Sequence, residues 1–177
     1  DKSYERYSVR LNLNHEINKW FKFGLQTQYS HSIEQRGSGM EGDQYMYRIS
    51  PLGALRNDDG TPTELVAADA QMWNPLMNLV DGAVSAPLKT SRYLGSYYIE
   101  VTFPIEGLKF RSNLGLDSRT VQDYQFYSSK TSKRQLGTSY AENGMSKYTM
   151  MTLENMFFYN KDFGKDHSLG LTLHSMM

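Results

Sequence analysis

The chain has 177 residues, with lysine plus arginine balancing aspartate plus glutamate at 19 each and no cysteine. No basic field points to a nucleic-acid partner, and neither a disulfide framework nor a cysteine-ligated metal is available. Hydrophobic residues make up 39% of the chain, and no run approaches the ~20 consecutive apolar residues of a helical membrane span. A barrel is not excluded, because in a barrel only alternate residues meet lipid.

Residues 4–32 set the pattern. Tyr7, Val9, Leu11, Leu13 and His15 fall on one parity, while Arg6, Ser8, Arg10, Asn12 and Asn14 fall on the other. After a polar turn at Glu16, Ile17, Asn18 and Lys19, the residues Phe21, Phe23, Leu25, Thr27, Tyr29 and His31 oppose Lys22, Gly24, Gln26, Gln28 and Ser30, with Trp20 beside the turn. This is the period of a strand. Each run holds for roughly 10 residues, the length a tilted strand needs to cross a bilayer and longer than the usual ~5–6 of soluble strands. One face is apolar and aromatic-ended, and the other carries arginines and amides. That contrast predicts a membrane hairpin with a wet lumen on its polar side.

Residues 33–92 break the alternation with glycine and proline, and long irregular connections of this kind tend to be functional. They read as a long extracellular loop and the main recognition surface. Asn57, Asp58, Asp59 and Gly60 predict a tight turn with Gly60 at positive φ. Residues 64–72 predict a short helix.

Strand periodicity returns at residues 93–103, where Tyr93, Gly95, Tyr97, Ile99, Val101 and Phe103 oppose Leu94, Ser96, Tyr98, Glu100 and Thr102. Pro104 to Gly107 form a short turn. Leu108, Phe110, Ser112, Leu114 and Leu116 then oppose Lys109, Arg111, Asn113, Gly115, Asp117 and Arg119. Residues 121–146 read as a second extracellular loop. A fifth strand over 147–159 has a mixed phase, with Met151, Leu153, Phe157 and Tyr159 on one parity and Met150, Met156 and Phe158 on the other, which predicts a bulge. Residues 160–166 turn again, and 167–177 open a sixth strand with Leu169, Leu171 and Leu173 on one parity.

The connections alternate short, long, short, long, short. Antiparallel strands place alternate connections at opposite ends, so the short turns share one end and the long loops the other, an asymmetry typical of outer-membrane barrels. The expected fold is therefore all-β, an antiparallel up-and-down transmembrane barrel segment of about six strands. Six strands are fewer than the ~8 needed to close a barrel. The chain starts without a methionine and stops within an alternating run, so it reads as a cut segment.

ERYSVRLNLNHEINKWFKFGL, SPLGALRNDDGTP, WNPLMNL, VTFPIEGLKFRSNLGLD and LENMFFYNKDFGKDHSL occur in that order along nearly the whole chain. Together they resemble the barrel of SusC-like, RagA-like TonB-dependent outer-membrane transporters of the Bacteroidota. The resemblance implies a parent barrel of about 22 strands, an N-terminal plug energised through TonB, a SusD-like surface lipoprotein as partner, and import of oligosaccharides or peptides, glycans being the commoner cargo. It places the protein in the outer membrane of a Gram-negative cell, in contact with its lipid. The plug, the TonB box and the terminal barrel strand lie outside these residues.

Candidate sites follow from residue chemistry. Trp73 with Tyr45, Tyr47 and Tyr93 offers flat faces for a sugar ring, with Asn74 and Asn78 as nearby amides; the competing role is packing of the loop onto its neighbours or the partner lipoprotein. Arg6, Arg10, Glu100, Lys109, Arg111, Asp117 and Arg119 line the lumen in this phase, solvating the wall and pairing with one another. Asp58 and Asp59, even with Asp43, lack a calcium-loop ladder, and His15, His31, His167 and His174 lack ligand spacing, so no metal or cofactor is expected. Adjacent His174 and Ser175 point to opposite faces of a strand and cannot form a catalytic dyad, so an enzyme is not expected. Two other readings compete: a soluble all-β carbohydrate-binding module, and a pore closed by several copies of the chain. A sandwich would bury the apolar face against a second sheet, whereas a membrane wall leaves it uncovered.

Overall fold

The computed structural model describes residues 2–37, 49–66, 69–164 and 166–177, with the side chains of 69–71 left aside. The elements are strands β1 (Ser3–Asn18), β2 (Phe21–Gln35), β3 (Leu65–Val66), β4 (Asp69–Trp73), β5 (Val84–Ser85), β6 (Pro87–Thr102), β7 (Leu108–Tyr127), β8 (Tyr140–Phe163) and β9 (His167–Met176), with one short 3-10 helix at Pro75–Leu79. The architecture is all-β and antiparallel, as the alternation predicts. Six long strands follow one another in the order β1-β2-β6-β7-β8-β9, and β5 pairs with β7. β1 and β9 stand at the two ends of this path.

The chain divides into two units, one of Asp1–Arg6, Ser32–Thr90 and Val121–Ser146, the other of Tyr7–His31, Ser91–Thr120 and Lys147–Met177. The second holds the tight turns. Asn18 caps the first by accepting from the backbone N–H of Trp20 at 2.8 Å and Phe21 at 3.0 Å. Glu16 and Ile17 thus remain in β1, and the turn sits two residues later than the sequence suggests. In the next turn, Gly107 adopts φ 81°, and the Leu108 N–H bonds the Ile105 carbonyl at 3.1 Å. In the third turn, between β8 and β9, Gly164 supplies a second positive φ, of 74°.

The predicted bulge is absent where β8 meets β9. Their register runs unbroken from Glu154↔Met176 to Phe163↔His167, with Phe157↔Leu173 and Tyr159↔Leu171 in step. Met156 and Phe158 instead pair with His174 and Thr172 on the opposite face, so the mixed phase reflects apolar residues on both faces.

In the first unit the predicted helix over 64–72 is replaced by β3 and β4. Leu65 pairs with Trp73 and Val66 with Asp69, with a register shift between Leu65 and Val66, and the Asn74 N–H bonds the Glu64 carbonyl at 3.0 Å. These cross-strand partners override a locally helix-tolerant composition. The predicted turn at Asn57–Gly60 forms with Gly60 at φ 83° and its N–H on the Asn57 carbonyl at 2.9 Å. β7 continues to Tyr127 and β8 starts at Tyr140, so strand extends into both ends of the stretch 121–146.

Packing differs between the two units. Buried apolar side chains among the described residues are Val66, Pro75, Met77 and Ala83, all in the loop-bearing unit. In the other unit the apolar parity stays uncovered: Val9 is 71% exposed, Leu11 57% and Leu173 70%, while Leu114 and Leu116 are half-buried by their own neighbours. A second layer would have buried them.

Candidate functional site

In the unit of Tyr7–His31, Ser91–Thr120 and Lys147–Met177, contacts fix which residues share a face. On the apolar side, His15 meets Phe23 edge-on at 5.7 Å, and Phe110 meets Phe157 at 4.6 Å. Tyr93 and Tyr97 join their hydroxyls over Gly95. His31 Nδ1 and Ser91 Oγ lie 2.9 Å apart, a polar pair where the apolar run of β2 ends.

The opposite side is a continuous polar surface. Arg10 donates to Gln28 Oε1 at 2.8 Å, and Lys22 pairs with Glu16 at 2.9 Å. The Tyr98 ring lies across Gly24, where a Cβ would collide with it, and its hydroxyl donates to Asn14 Oδ1 at 3.1 Å. The Arg111 guanidinium sits 4.4 Å from the centre of the same ring. Its Nε donates to Asn113 Oδ1 at 2.9 Å, its Nη1 lies 3.9 Å from Glu100 Oε2, and Asn113 Nδ2 donates to Glu154 Oε2 at 3.1 Å. Asp117 pairs with Arg92.

Two open cavities lie on this face. One of about 460 Å³ is framed by Arg10, Asn12, Gln26, Gln28, Leu94 and Ser96. The other, about 280 Å³, lies between Ser96, Tyr98, Arg111, Gly115, Thr152 and Glu154.

Of the residues expected to line a lumen, the structure places Glu100 beside Arg111, Asp117 against Arg92 and Arg10 against Gln28. Lys109 and Arg119 share the parity of Arg111 and Asp117 in β7, and Arg6 shares that of Arg10 in β1. Arg92 escaped sequence reading because β6 begins at Pro87, well before the regular alternation starts at Tyr93.

The loop-bearing unit corrects the proposed sugar platform in part. Asn74 is fully buried: its amide donates to the Leu55 carbonyl at 2.6 Å and Thr63 Oγ1 at 3.1 Å, and its Oδ1 accepts from the Leu76 N–H at 3.0 Å. It caps the 3-10 helix and offers nothing to a ligand. Asn78 is likewise buried, donating to Ser132 Oγ at 2.9 Å and accepting from the Ser132 N–H at 2.9 Å. Trp73 is half-buried in β4, and Tyr45 and Tyr47 lie outside the described residues. Asp59 turns its carboxylate onto Thr61, at 2.9 Å from the N–H and 2.6 Å from the hydroxyl. The missed contact here is Arg36, which forks onto both Asp123 oxygens and donates from Nε to the Ala86 carbonyl at 3.1 Å. This guanidinium holds the Asp123 carboxyl below the usual carboxylate range, against a smaller opposing effect of burial.

These features define an up-and-down antiparallel sheet with one apolar and one polar face. No protein-family model matches the sequence, and no curated protein matches it. Among solved structures, the chain is similar to the RagAB peptide importer in its closed-closed state, with a TM-score of 0.67 and 15% identity over 98% of this chain and 20% of that one. It is similar to the RagAB peptide transporter with a TM-score of 0.69 and 16% identity over 99% of this chain and 20% of that one. The importer's open-open state gives the same TM-score of 0.69, identity of 16% and coverage of 99% and 20%. The chain thus spans 20% of the length of the chains it matches, and the likeness is one of fold.

Proposed function

We propose that this chain is a segment of the wall of an outer-membrane, TonB-dependent transporter that imports peptides or oligosaccharides with a SusD-like surface lipoprotein. The observation that carries the reading is the uncovered apolar parity, with Leu11 57% and Val9 71% exposed, opposite a face of arginines, amides and carboxylates. In water such a face would drive aggregation, whereas in hydrocarbon it is the matched surface. From Phe21 to His31 the apolar run covers roughly 10 residues, the span of a tilted transmembrane strand. β7 and β8 have 20 and 24 residues, about twice that need, so they project past the bilayer toward the long connections. In this reading residues 33–92 and 121–146 face the cell exterior, and TonB acts through a plug carried elsewhere in a longer protein. Peptide gains weight over glycan as cargo because the similar structures belong to a peptide importer.

The soluble carbohydrate-binding module lacks support from packing, since nothing among the described residues covers the apolar parity. The test is membrane fractionation of cells expressing the natural gene product. Recovery in the outer-membrane fraction, released only by detergent, is expected; a product soluble without detergent overturns the reading.

A further inference from the structure

We infer that the notch between Tyr98, Arg111, Gly115, Thr152 and Glu154 is a subsite for a cationic side chain, an arginine or lysine of a passing peptide. The inference rests on the polar face being water-facing, as proposed above, and names the chemistry that face selects.

Charge and shape both point there. Across β6, β7 and β8 runs the row Glu100, Arg111, Asn113, Glu154, held by contacts of 3.9, 2.9 and 3.1 Å. It contains two carboxylates and one guanidinium, and that guanidinium is already engaged by Glu100, by the Asn113 amide oxygen and by the Tyr98 ring at 4.4 Å. Glu154 is half-buried and receives only an amide N–H from Asn113 among the described residues. An ionised carboxylate with one neutral donor retains unfilled acceptor capacity, since it has about four lone-pair sites. A guanidinium or ammonium supplies the strongest donors for it.

The space beside it is bordered by a glycine. A Cβ at Gly115 would find Thr152 Cβ and O at 3.8 Å, ordinary contact. The backbone therefore does not require glycine there, and Gly115 borders the space of about 280 Å³ that also reaches Glu154. The hydroxyls of Ser96 and Thr152 border the same space and can accept further N–H groups. Arg111 is pinned to Tyr98 and cannot swing into the notch without losing its stacked partner.

The experiment uses the full-length natural gene product in detergent micelles, with binding of capped tripeptides bearing a central arginine, glutamine or glutamate followed by titration calorimetry. The arginine peptide is expected to bind about tenfold or more tightly than the glutamine peptide, since one charge-assisted hydrogen bond commonly gives that ratio. Glu154→Gln, nearly isosteric, should abolish the preference, and Gly115→Leu should do so by filling the notch while leaving the strand spectrum intact. Glu16→Gln, outside the notch, should leave the preference unchanged. Equal binding of the three peptides, or an undiminished arginine preference in Glu154→Gln, overturns the inference. Failure of the transporter-wall reading shows separately, as a gene product that needs no detergent.

Discussion

Arg92 and Asp117 meet fork to fork across β6 and β7, with Nε to Oδ1 at 3.0 Å and Nη2 to Oδ2 at 2.7 Å. The fork gives directional specificity that a point charge lacks. Its energy is limited by water, because the arginine side chain is 47% exposed. A double-mutant cycle of Arg92→Ala and Asp117→Ala should return a small favourable coupling, of the size usual for ion pairs open to water. Arg92→Lys keeps the charge but should lose most of that coupling. A coupling as large as that of a buried ion pair would mean that the pair is drier than its exposure indicates.

The Asn78 and Ser132 pair ties the 3-10 helix to the connection between β7 and β8, and both side chains are nearly sealed from water. Asn78→Ala removes the buried side-chain oxygen that accepts from the Ser132 N–H, a loss that costs about 1–3 kcal/mol. Hydrogen exchange should therefore rise at the backbone amides around Ser132, while amides in the middle of β7 keep their protection. Uniform loss of protection along β7 would contradict a local role.

Folding lowers the pKa of Asp123 through Arg36, so protonation favours the unfolded chain. The contribution is present in full above the unfolded carboxyl value of about 3.9 and disappears as pH falls through the lower native value. Partial exposure of both side chains, 31% and 38%, keeps it small through solvent screening. Chemical unfolding of the parent and of Asp123→Asn should show two stability curves that are parallel near neutral pH and converge in acid. Curves that stay parallel below pH ~3 would remove Arg36 as the cause.

Sequence legibility followed the range of the interaction. Leu25 and Gln26 are neighbours on opposite faces, and period two alone separates them. The turn at Gly60 was legible for the same local reason. Asn78 and Ser132 are 54 residues apart, and Arg36 and Asp123 are 87 apart, so no spacing rule connects them. Asn74 looked like a ligand amide because its residue type suits one; only its burial shows the amide spent inside the loop. The segment 64–72 misled because its alanines tolerate a helix, while the pairing of Leu65 with Trp73 decides its conformation.

Leu25 and Gln26 also give the sharpest test of which face meets lipid, because both lie in β2, which is hydrogen-bonded on either side by β1 and β6. Leu25 shares its parity with Phe23, which packs against His15, and Gln26 borders the cavity beside Arg10. An arginine on the lipid face near the bilayer midplane costs about 2–4 kcal/mol, whereas the same residue on the wet face is nearly neutral. Leu25→Arg should therefore lower unfolding free energy by that amount in lipid bilayers, and Gln26→Arg should change it by less than ~0.5 kcal/mol. If the two substitutions were equivalent in bilayers, the faces would not differ in solvent, and a lipid-facing assignment of Leu25 would be wrong. If Gln26→Arg were the costly one, the strand phase would be inverted.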